Sequence, residues 1–163
     1  MNNQFNSFKK TITNPLNFRY FLFRKLPSAL FAGLRIKELT EDQAVITVSH
    51  KWFNQNPFRS LYFAIQSMAA EMSTGILGFG QIYQRNPAVS MLVVGIEAKF
   101  LKKITGRISF TCSDGEAVNN AIETSIATGE GVTVVCRSAG TNEAGELAAE
   151  FFVTWSFKAR TKI

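Results

Sequence analysis

One segment of the 163-residue chain is apolar around nearly its whole circumference when it is drawn as a helix. Between Phe58 and Ile76 the apolar residues recur at steps of three and four, which predicts an α-helix over this range. The other positions are mostly small or aromatic rather than charged, and a helix of that kind is buried. Gly75, Gly78 and Gly80 then predict its end. The chain must therefore enclose one long helix.

The segments around this helix have strand patterns. A β-hairpin is expected over residues 35–50, ahead of the helix, because apolar and polar residues alternate there. After the helix, strands are expected at 89–100, 107–112, 132–136 and 146–158, with one short helix before the third of them. This order favours an α+β fold in which a curved, mostly antiparallel sheet wraps around the central helix.

The start of the chain predicts an extra N-terminal helix. Pro15 is a typical first helical residue, and residues 16–32 predict an amphipathic helix that breaks near Pro27. We expect this helix to pack on its own domain, with contact to a membrane surface as the alternative. Residues 1–13 are polar and expected to be flexible, and residues 14–163 are expected to form a single domain.

The net charge of the chain indicates which classes of partner it can attract. Its 18 Lys and Arg outnumber its 12 Asp and Glu, so a net charge of +6 attracts polyanions, including the phosphates of a coenzyme. The basic residues form no long run, and no RNA-binding aromatic motif or zinc finger is present. We therefore expect no nucleic-acid partner.

The expected compartment is the cytoplasm. No stretch is apolar for long enough to predict stable membrane insertion, and the N-terminus lacks the apolar region of a signal peptide. Cys112 and Cys136 lie in strand-like segments and are expected to be buried free thiols in a reducing environment.

Glu71 is the residue with the clearest chemical potential. It shares one stripe of the buried helix with Ser60, Ser67 and Thr74, at spacings of seven, four and three. A carboxylate there is unfavourable unless it is paired, hydrogen-bonded or protonated, which makes it a candidate general base or nucleophile. The alternative is a structural ion pair with a Lys or Arg. Because His50 is the only histidine and no metal or nucleotide motif is present, we expect neither a metal nor another cofactor.

The spacing of these residues resembles that of the hotdog-fold acyl-CoA thioesterases. Members of that family often carry an Asn, a Gly-rich turn and a His, followed nine positions later by an acid on the central helix. Here Asn56 precedes Tyr62 by six residues, and Tyr62 precedes Glu71 by nine. The segments AAEMSTG, IEAKFLKKITGRISFTCS and AGELAAEFFVTWSFK are similar to the family's central helix, strand pair and last strand, so the resemblance covers residues 35–158. This sequence departs from the pattern at Arg59, in place of the turn Gly, and at Tyr62, in place of His.

The resemblance implies hydrolysis of an acyl-CoA-type thioester. Glu71 would be the base or nucleophile, and Asn56 would position the substrate or water. Tyr62 would donate a hydrogen bond to the thioester carbonyl or line the pocket. Backbone N–H groups near Phe63 would form the oxyanion hole, since the start of a helix offers free donors and a favourable dipole.

Further residues are expected to bind the substrate. Ser67 and Thr74 share the stripe of Glu71, while Lys102, Lys103 and Arg107 follow a strand that should border the site and would meet the coenzyme phosphates. The alternative for the three basic residues is a solvated turn.

The same resemblance implies a homodimer or a dimer of dimers with a site shared between subunits, since an exposed sheet edge must be paired or covered. Two other functions stay open on this fold. One is non-catalytic binding of acyl chains or acyl-CoA. The other is dehydration of a 3-hydroxyacyl thioester, which requires a His–acid pair that a chain with one His is poorly equipped to supply.

Overall fold

The structure, a computed structural model, describes residues 3–160. It contains five α-helices, one short 3-10 turn at Trp52–Asn54 and six strands within that range. The helices are α1 (Asn3–Ile12), α2 (Pro15–Lys25), α3 (Pro27–Ala32), α4 (Phe63–Ile82) and α5 (Gly115–Thr128). The strands are β1 (Arg35–Leu39), β2 (Ala44–Ser49), β3 (Val89–Phe100), β4 (Arg107–Cys112), β5 (Gly131–Asn142) and β6 (Leu147–Ala159).

All six strands form one antiparallel sheet in the order β1-β2-β4-β5-β6-β3. The long pair β3 and β6 runs from Val89 opposite Ala159 to Phe100 opposite Ala149. Helix α4 packs against β2 through β6, so one face of the curved sheet encloses it. The expected α+β architecture is confirmed, and the two strands left at the edges of the sheet are β1 and β3.

The central helix is displaced along the sequence from its predicted range. It begins at Phe63 rather than Phe58 and continues to Ile82, through the glycines that were expected to end it. An added Cβ would lie 2.9 Å from Trp155 at Gly75, 3.0 Å from Phe157 at Gly78 and 2.5 Å from Phe5 at Gly80. The glycines therefore allow close packing of α4 on its neighbours. In a sequence, a glycine that ends a helix looks the same as a glycine that allows such packing.

The first residues of the chain also differ from the prediction. Residues 3–12 form helix α1, and its side chains Phe5, Phe8 and Ile12 are buried in the core. Phe8 packs edge-on against Phe79 of α4, with 5.4 Å between the ring centroids. The segment was expected to be loose because its polar residues outnumber its apolar ones. The spacing of three and four between the apolar residues was the signal for a packed helix.

The break in the N-terminal helix is confirmed. The side chain of Asn14 accepts hydrogen bonds from the backbone N–H groups of Leu16 and Asn17, and Pro15 is the first residue of α2. Leu26 separates α2 from α3, which begins at Pro27. No helix among the described residues is long and apolar enough to cross a membrane.

We expect Gly80→Ala to lower the free energy of unfolding by about 1–3 kcal/mol, the usual effect of overpacking a core. At a helix position with free space, Gly→Ala instead raises the free energy of unfolding by about 1 kcal/mol. The sign of the change in this free energy therefore shows whether a Cβ at Gly80 meets Phe5. Chemical denaturation of both proteins measures the difference. Gly131→Ala is the control, because a Cβ there meets nothing within 4 Å; a Gly80→Ala protein as stable as the parent would contradict the close approach.

Candidate active site

The loop before α4 is organised by the side chain of Asn56. Its Oδ1 accepts hydrogen bonds from the backbone N–H of Phe58 at 3.0 Å, and from the backbone N–H and hydroxyl of Ser60 at 3.2 and 3.1 Å. The Nδ2 group of Asn56 donates to none of the described residues, so it is available to a ligand. The side-chain oxygen of Asn56 therefore orders the loop, while its NH2 group remains free to donate a hydrogen bond.

Arg59 lies in this loop with φ of 55°, in the left-handed region. That conformation favours glycine, the residue that the thioesterase pattern has at this position. The backbone turn is thus retained although the side chain differs.

The first turn of α4 presents free hydrogen-bond donors. Tyr62 is its N-cap but makes no side-chain capping hydrogen bond. The backbone N–H groups of Ile65 and Gln66 donate to the Tyr62 carbonyl, while those of Phe63 and Ala64 donate to none of the described residues. These two N–H groups, at the positive end of a 20-residue helix, match the requirements of an oxyanion hole.

A cavity of about 550 Å³ opens beside this helix end, and we call it the entrance cavity. Five of the predicted site residues line it: Asn56, Tyr62, Phe63, Lys102 and Lys103. The structure therefore brings together the residues expected to act on the carbonyl and two of the residues expected to contact phosphates.

Only one of the two lysines has an ion-pair partner among the described residues. Lys102 Nζ donates to Glu146 at 2.5 Å, and this hydrogen bond holds the pKa of the Glu146 carboxyl below its usual value. Lys103 forms no ion pair within residues 3–160. Lys103 is thus the cation of this pair that is free to meet a phosphate.

Gln66 is a lining residue of the entrance cavity that the sequence analysis missed. Its Nε2 donates to the Leu61 carbonyl at 3.0 Å, while its buried Oε1 has no hydrogen-bond partner among the described residues. A buried acceptor without a donor is unfavourable. Gln66 is an uncharged polar residue one turn into a mostly apolar helix, and this pattern could have indicated a site residue.

Glu71 lies on a second hollow, the apolar cavity, of about 240 Å³. The cavity lies between α1, α2, α4 and the β3–β6 pair, and Glu71 is the only ionisable residue among the described residues that line it. The other lining residues include Phe18, Phe21, Phe79 and Trp155.

The carboxylate of Glu71 forms no ion pair or hydrogen bond with any described residue. Burial raises the pKa of this carboxyl above its usual value of 4.5. The sequence allowed Glu71 to be either a catalytic residue or part of a structural ion pair. No Lys or Arg among the described residues forms that ion pair.

Two hydroxyl groups on the stripe of Glu71 are engaged within the protein. The indole Nε1–H of Trp155 donates to Thr74 Oγ1 at 2.9 Å, and the Thr74 hydroxyl donates to the Glu71 carbonyl at 2.9 Å. Ser67 Oγ donates to the Phe63 carbonyl at 3.0 Å. Neither residue lines either of the two cavities, so Thr74 holds the turn of Glu71 against β6.

Arg107 lies apart from the two lysines with which it was grouped. It lines a separate groove together with Arg35 and Lys51. Arg107 is the first residue of β4, and it does not line the entrance cavity.

The two halves of the candidate site do not meet within one chain. Glu71 follows Phe63 by eight residues, which at about 1.5 Å per residue places them ~12 Å apart along the axis of α4. A single carbonyl group therefore cannot contact both within this chain.

One group of side chains has the ligand types of a metal site. Cys112, Asp114 and Cys136 have ligand atoms within 4.8 Å of one another, among the described residues. The hydrogen bond with the Cys136 thiol and burial both raise the pKa of the Cys112 thiol. Both thiols are free and buried, as the sequence predicted, and neither cysteine lines the two cavities.

A family model described as "domain of unknown function (DUF4442)" matches residues 16–156. The chain belongs to this family. The matched range runs from α2 to β6, so it includes the entrance cavity and most of the lining of the apolar cavity, while the α1 residues that line the apolar cavity precede it. A comparison with curated proteins gives no match.

Solved structures resemble the DUF4442 domain over nearly its whole length. A Pseudomonas aeruginosa protein of unknown function, described as a probable thioesterase, is 19% identical with a TM-score of 0.74, covering 90% of this chain and 97% of that one. A Chlorobaculum tepidum protein of unknown function is 20% identical with a TM-score of 0.72, covering 90% and 97%. A Haemophilus influenzae thioesterase is 15% identical with a TM-score of 0.69, covering 90% and 92%.

At these identities the likeness establishes the fold. The DUF4442 domain has the hotdog fold, as the resemblance implied. One fold can carry many activities, so the chemistry depends on the residues of the site.

The isolated carboxylate of Glu71 generates a prediction about pH. Because its pKa is raised by folding, the native state binds the proton more tightly than the unfolded state between pH 4.5 and the folded pKa. Stability should therefore fall as pH rises through this window. We expect Glu71→Gln to be more stable than the parent at pH 7, and this gain to vanish below pH 4.5. Denaturant unfolding of both proteins across this pH range measures the effect; a loss of about 3–5 kcal/mol at pH 7 would instead reveal an ion-pair partner.

Proposed function

We propose that the DUF4442 domain hydrolyses acyl thioesters of the acyl-CoA type, in a site shared by two subunits. The observation that carries the proposal is the Glu71 carboxylate, which is partly buried on an apolar cavity and has no cationic partner among the described residues. The free N–H groups at the start of the same helix and the basic side chains beside them supply the other requirements of the reaction.

The entrance cavity is suited to the thioester carbonyl. The Phe63 and Ala64 N–H groups would donate hydrogen bonds to the carbonyl oxygen, which gains negative charge as the tetrahedral intermediate forms. The free Nδ2 group of Asn56 would donate to the same oxygen or to the attacking water. The hydroxyl of Tyr62, which lines this cavity, is a further donor in reach of the mouth.

Glu71 would act as the general base. Its carboxylate removes a proton from water, and the water oxygen attacks the carbonyl carbon. The C–S bond then breaks, the carboxylic acid is released, and the proton returns from Glu71 to the thiolate that leaves. Direct attack by the carboxylate, followed by hydrolysis of the anhydride, uses the same residue.

A second copy of the chain would bring the two halves together. The edge strand β3 has unpaired backbone groups on its outer side and exposes Leu92, Val94 and Ile96 to solvent. Such an edge promotes pairing with another strand. Pairing of two β3 strands would give a homodimer, in which Glu71 of one subunit serves the helix start of the other, or a dimer of dimers.

The remaining residues would hold the substrate. The apolar cavity accommodates an acyl chain beside Phe18 and Met91, and its volume of about 240 Å³ limits the length that fits. Lys103, together with Lys102, would attract the phosphates of the coenzyme. Binding of acyl chains without hydrolysis is the second candidate function, which the apolar cavity favours by itself.

We expect Glu71→Gln to reduce thioester hydrolysis by about 100-fold or more, the scale of a lost general base, and to leave the protein folded. Release of free thiol from a panel of acyl-CoA esters measures the rate. Met72→Leu, a neighbour in the same cavity lining, is the matched control and should retain most activity. A folded Glu71→Gln protein with undiminished hydrolysis would remove Glu71 from the mechanism. A parent protein that binds acyl-CoA but releases no thiol would favour the binding function.

A shared site predicts rescue between two inactive variants. Asn56→Asp keeps the oxygen that orders the loop and removes the amide donor, and we expect it to slow hydrolysis. In a heterodimer of Asn56→Asp and Glu71→Gln subunits, one shared site carries both changes and the other carries neither. The purified heterodimer, made by co-expression with two tags, should therefore recover about half of the parent activity. A site contained in one chain would leave it as inactive as either variant.

A further inference from the structure

The positive charge of the protein is concentrated in its first quarter. Residues 1–37 contain seven Lys and Arg and no Asp or Glu. Their formal charge of +7, subtracted from the total of +6, leaves −1 for the rest of the chain. Five of the seven lie on α1 and α2, and the other two lie on β1, so the first two helices have basic residues and no acidic ones.

Helix α2 is apolar on both of its sides. Phe18 and Leu22 are buried on its inner side. On its outer side Leu16, Tyr20 and Phe23 recur at steps of four and three and are 77%, 65% and 63% exposed. The outer stripe does nothing for the packing of its own domain, and exposed patches of this kind mark binding surfaces.

Exposed aromatic rings also lie on the elements next to α2. Helix α3 packs against α2 and against the 3-10 turn. Phe31 of α3 and Phe53 of the turn are exposed, with their ring centroids 6.2 Å apart, and Trp52 beside them is 83% exposed. We call this surface the aromatic–basic face; its members are Leu16, Tyr20, Phe23, Phe31, Trp52 and Phe53, with Arg19, Arg24, Lys25 and Lys51.

We propose that the aromatic–basic face binds the surface of membranes that contain anionic phospholipids. Aromatic rings with cationic side chains around them are suited to the boundary between headgroups and acyl chains, where apolar groups leave water and Lys and Arg meet lipid phosphates. Helix α2 has only 11 residues, which is too short to cross a bilayer, so it lies along the surface.

The charge of the face argues for a lipid surface over a second copy of this chain. Two such faces in contact would bring Arg19, Arg24 and Lys25 of each subunit together without an acidic residue in residues 1–37 to offset them. An anionic membrane offsets these charges and buries the exposed rings at the same time.

The position of the face connects it with the apolar cavity. Phe21 of α2 and Phe79 of α4 line both the apolar cavity and a groove on the outer side of α1 and α2, which also includes Tyr20 and Arg24. A single layer of side chains thus separates the cavity from the surface that would meet the lipid. Lipid binding itself does not depend on thioester hydrolysis.

Co-sedimentation of the full chain with vesicles tests the proposal. We expect binding to vesicles of phosphatidylcholine with 30% phosphatidylglycerol, at least about 10-fold weaker binding to phosphatidylcholine alone, and weakening by about 0.5 M salt. Leu16→Ser with Phe23→Ser should reduce binding to anionic vesicles at least about 10-fold. Val135→Ser, an exposed apolar residue on β5, is the matched control and should leave binding unchanged.

A pair of charge variants separates specific placement from total charge. Arg19→Gln with Arg24→Gln and Lys158→Gln with Arg160→Gln both lower the net charge by two. Only the first should weaken vesicle binding. Equal weakening by both, absence of vesicle binding by the parent, or apolar variants that change the oligomeric state without changing vesicle binding would overturn the proposal. Hydrolysis of a short, soluble acyl-CoA by the same variants reports on the proposed enzyme activity separately.

Discussion

The close approach of α4 to its neighbours is the contact on which the rest of the structure depends. Three glycines on one helix let Trp155, Phe157 and Phe5 pack directly against its backbone. The indole of Trp155 then reaches Thr74, whose hydroxyl bonds to the Glu71 carbonyl, so the same contact fixes the turn that carries the acid. The dense packing of aromatic side chains around a small-residue helix also leaves the apolar cavity along its side.

The site combines two features that are unfavourable for stability. The Glu71 carboxylate is partly buried without a partner among the described residues, and the Gln66 amide oxygen is buried without a donor among them. Such groups persist where function uses them, because a ligand can supply the missing interaction. Glu71 is separated along α4 from the free N–H groups at the start of the helix, so the proposed thioesterase site needs a second subunit. The exposed apolar edge of β3 is the surface that this proposal assigns to the contact between subunits.

The N-terminal helices connect the interior with the outer surface. Their inner residues close the apolar cavity, while their outer residues present exposed rings among basic side chains. Phe5, Phe8 and Ile12 of α1 belong to the main core, so these helices are an integral part of the folded protein. Phe8, Ile12, Phe21 and Phe79 thus form the layer between the apolar cavity and the outer groove.

Local sequence patterns were sufficient to predict much of the secondary structure of this protein. Alternation gave the strands, the step of three and four gave a buried helix, and Pro27 gave the break, because each depends only on neighbouring residues. The spacing of Asn56, Tyr62 and Glu71 likewise indicated a thioesterase-like site. The tertiary structure alone decided that the glycines of α4 are contact points and that α1 is packed. It also decided that Glu71 has no cation within residues 3–160, and that Arg107 lies away from Lys102. Each of these depends on which side chains from distant parts of the chain share a space, and sequence spacing contains no information about that.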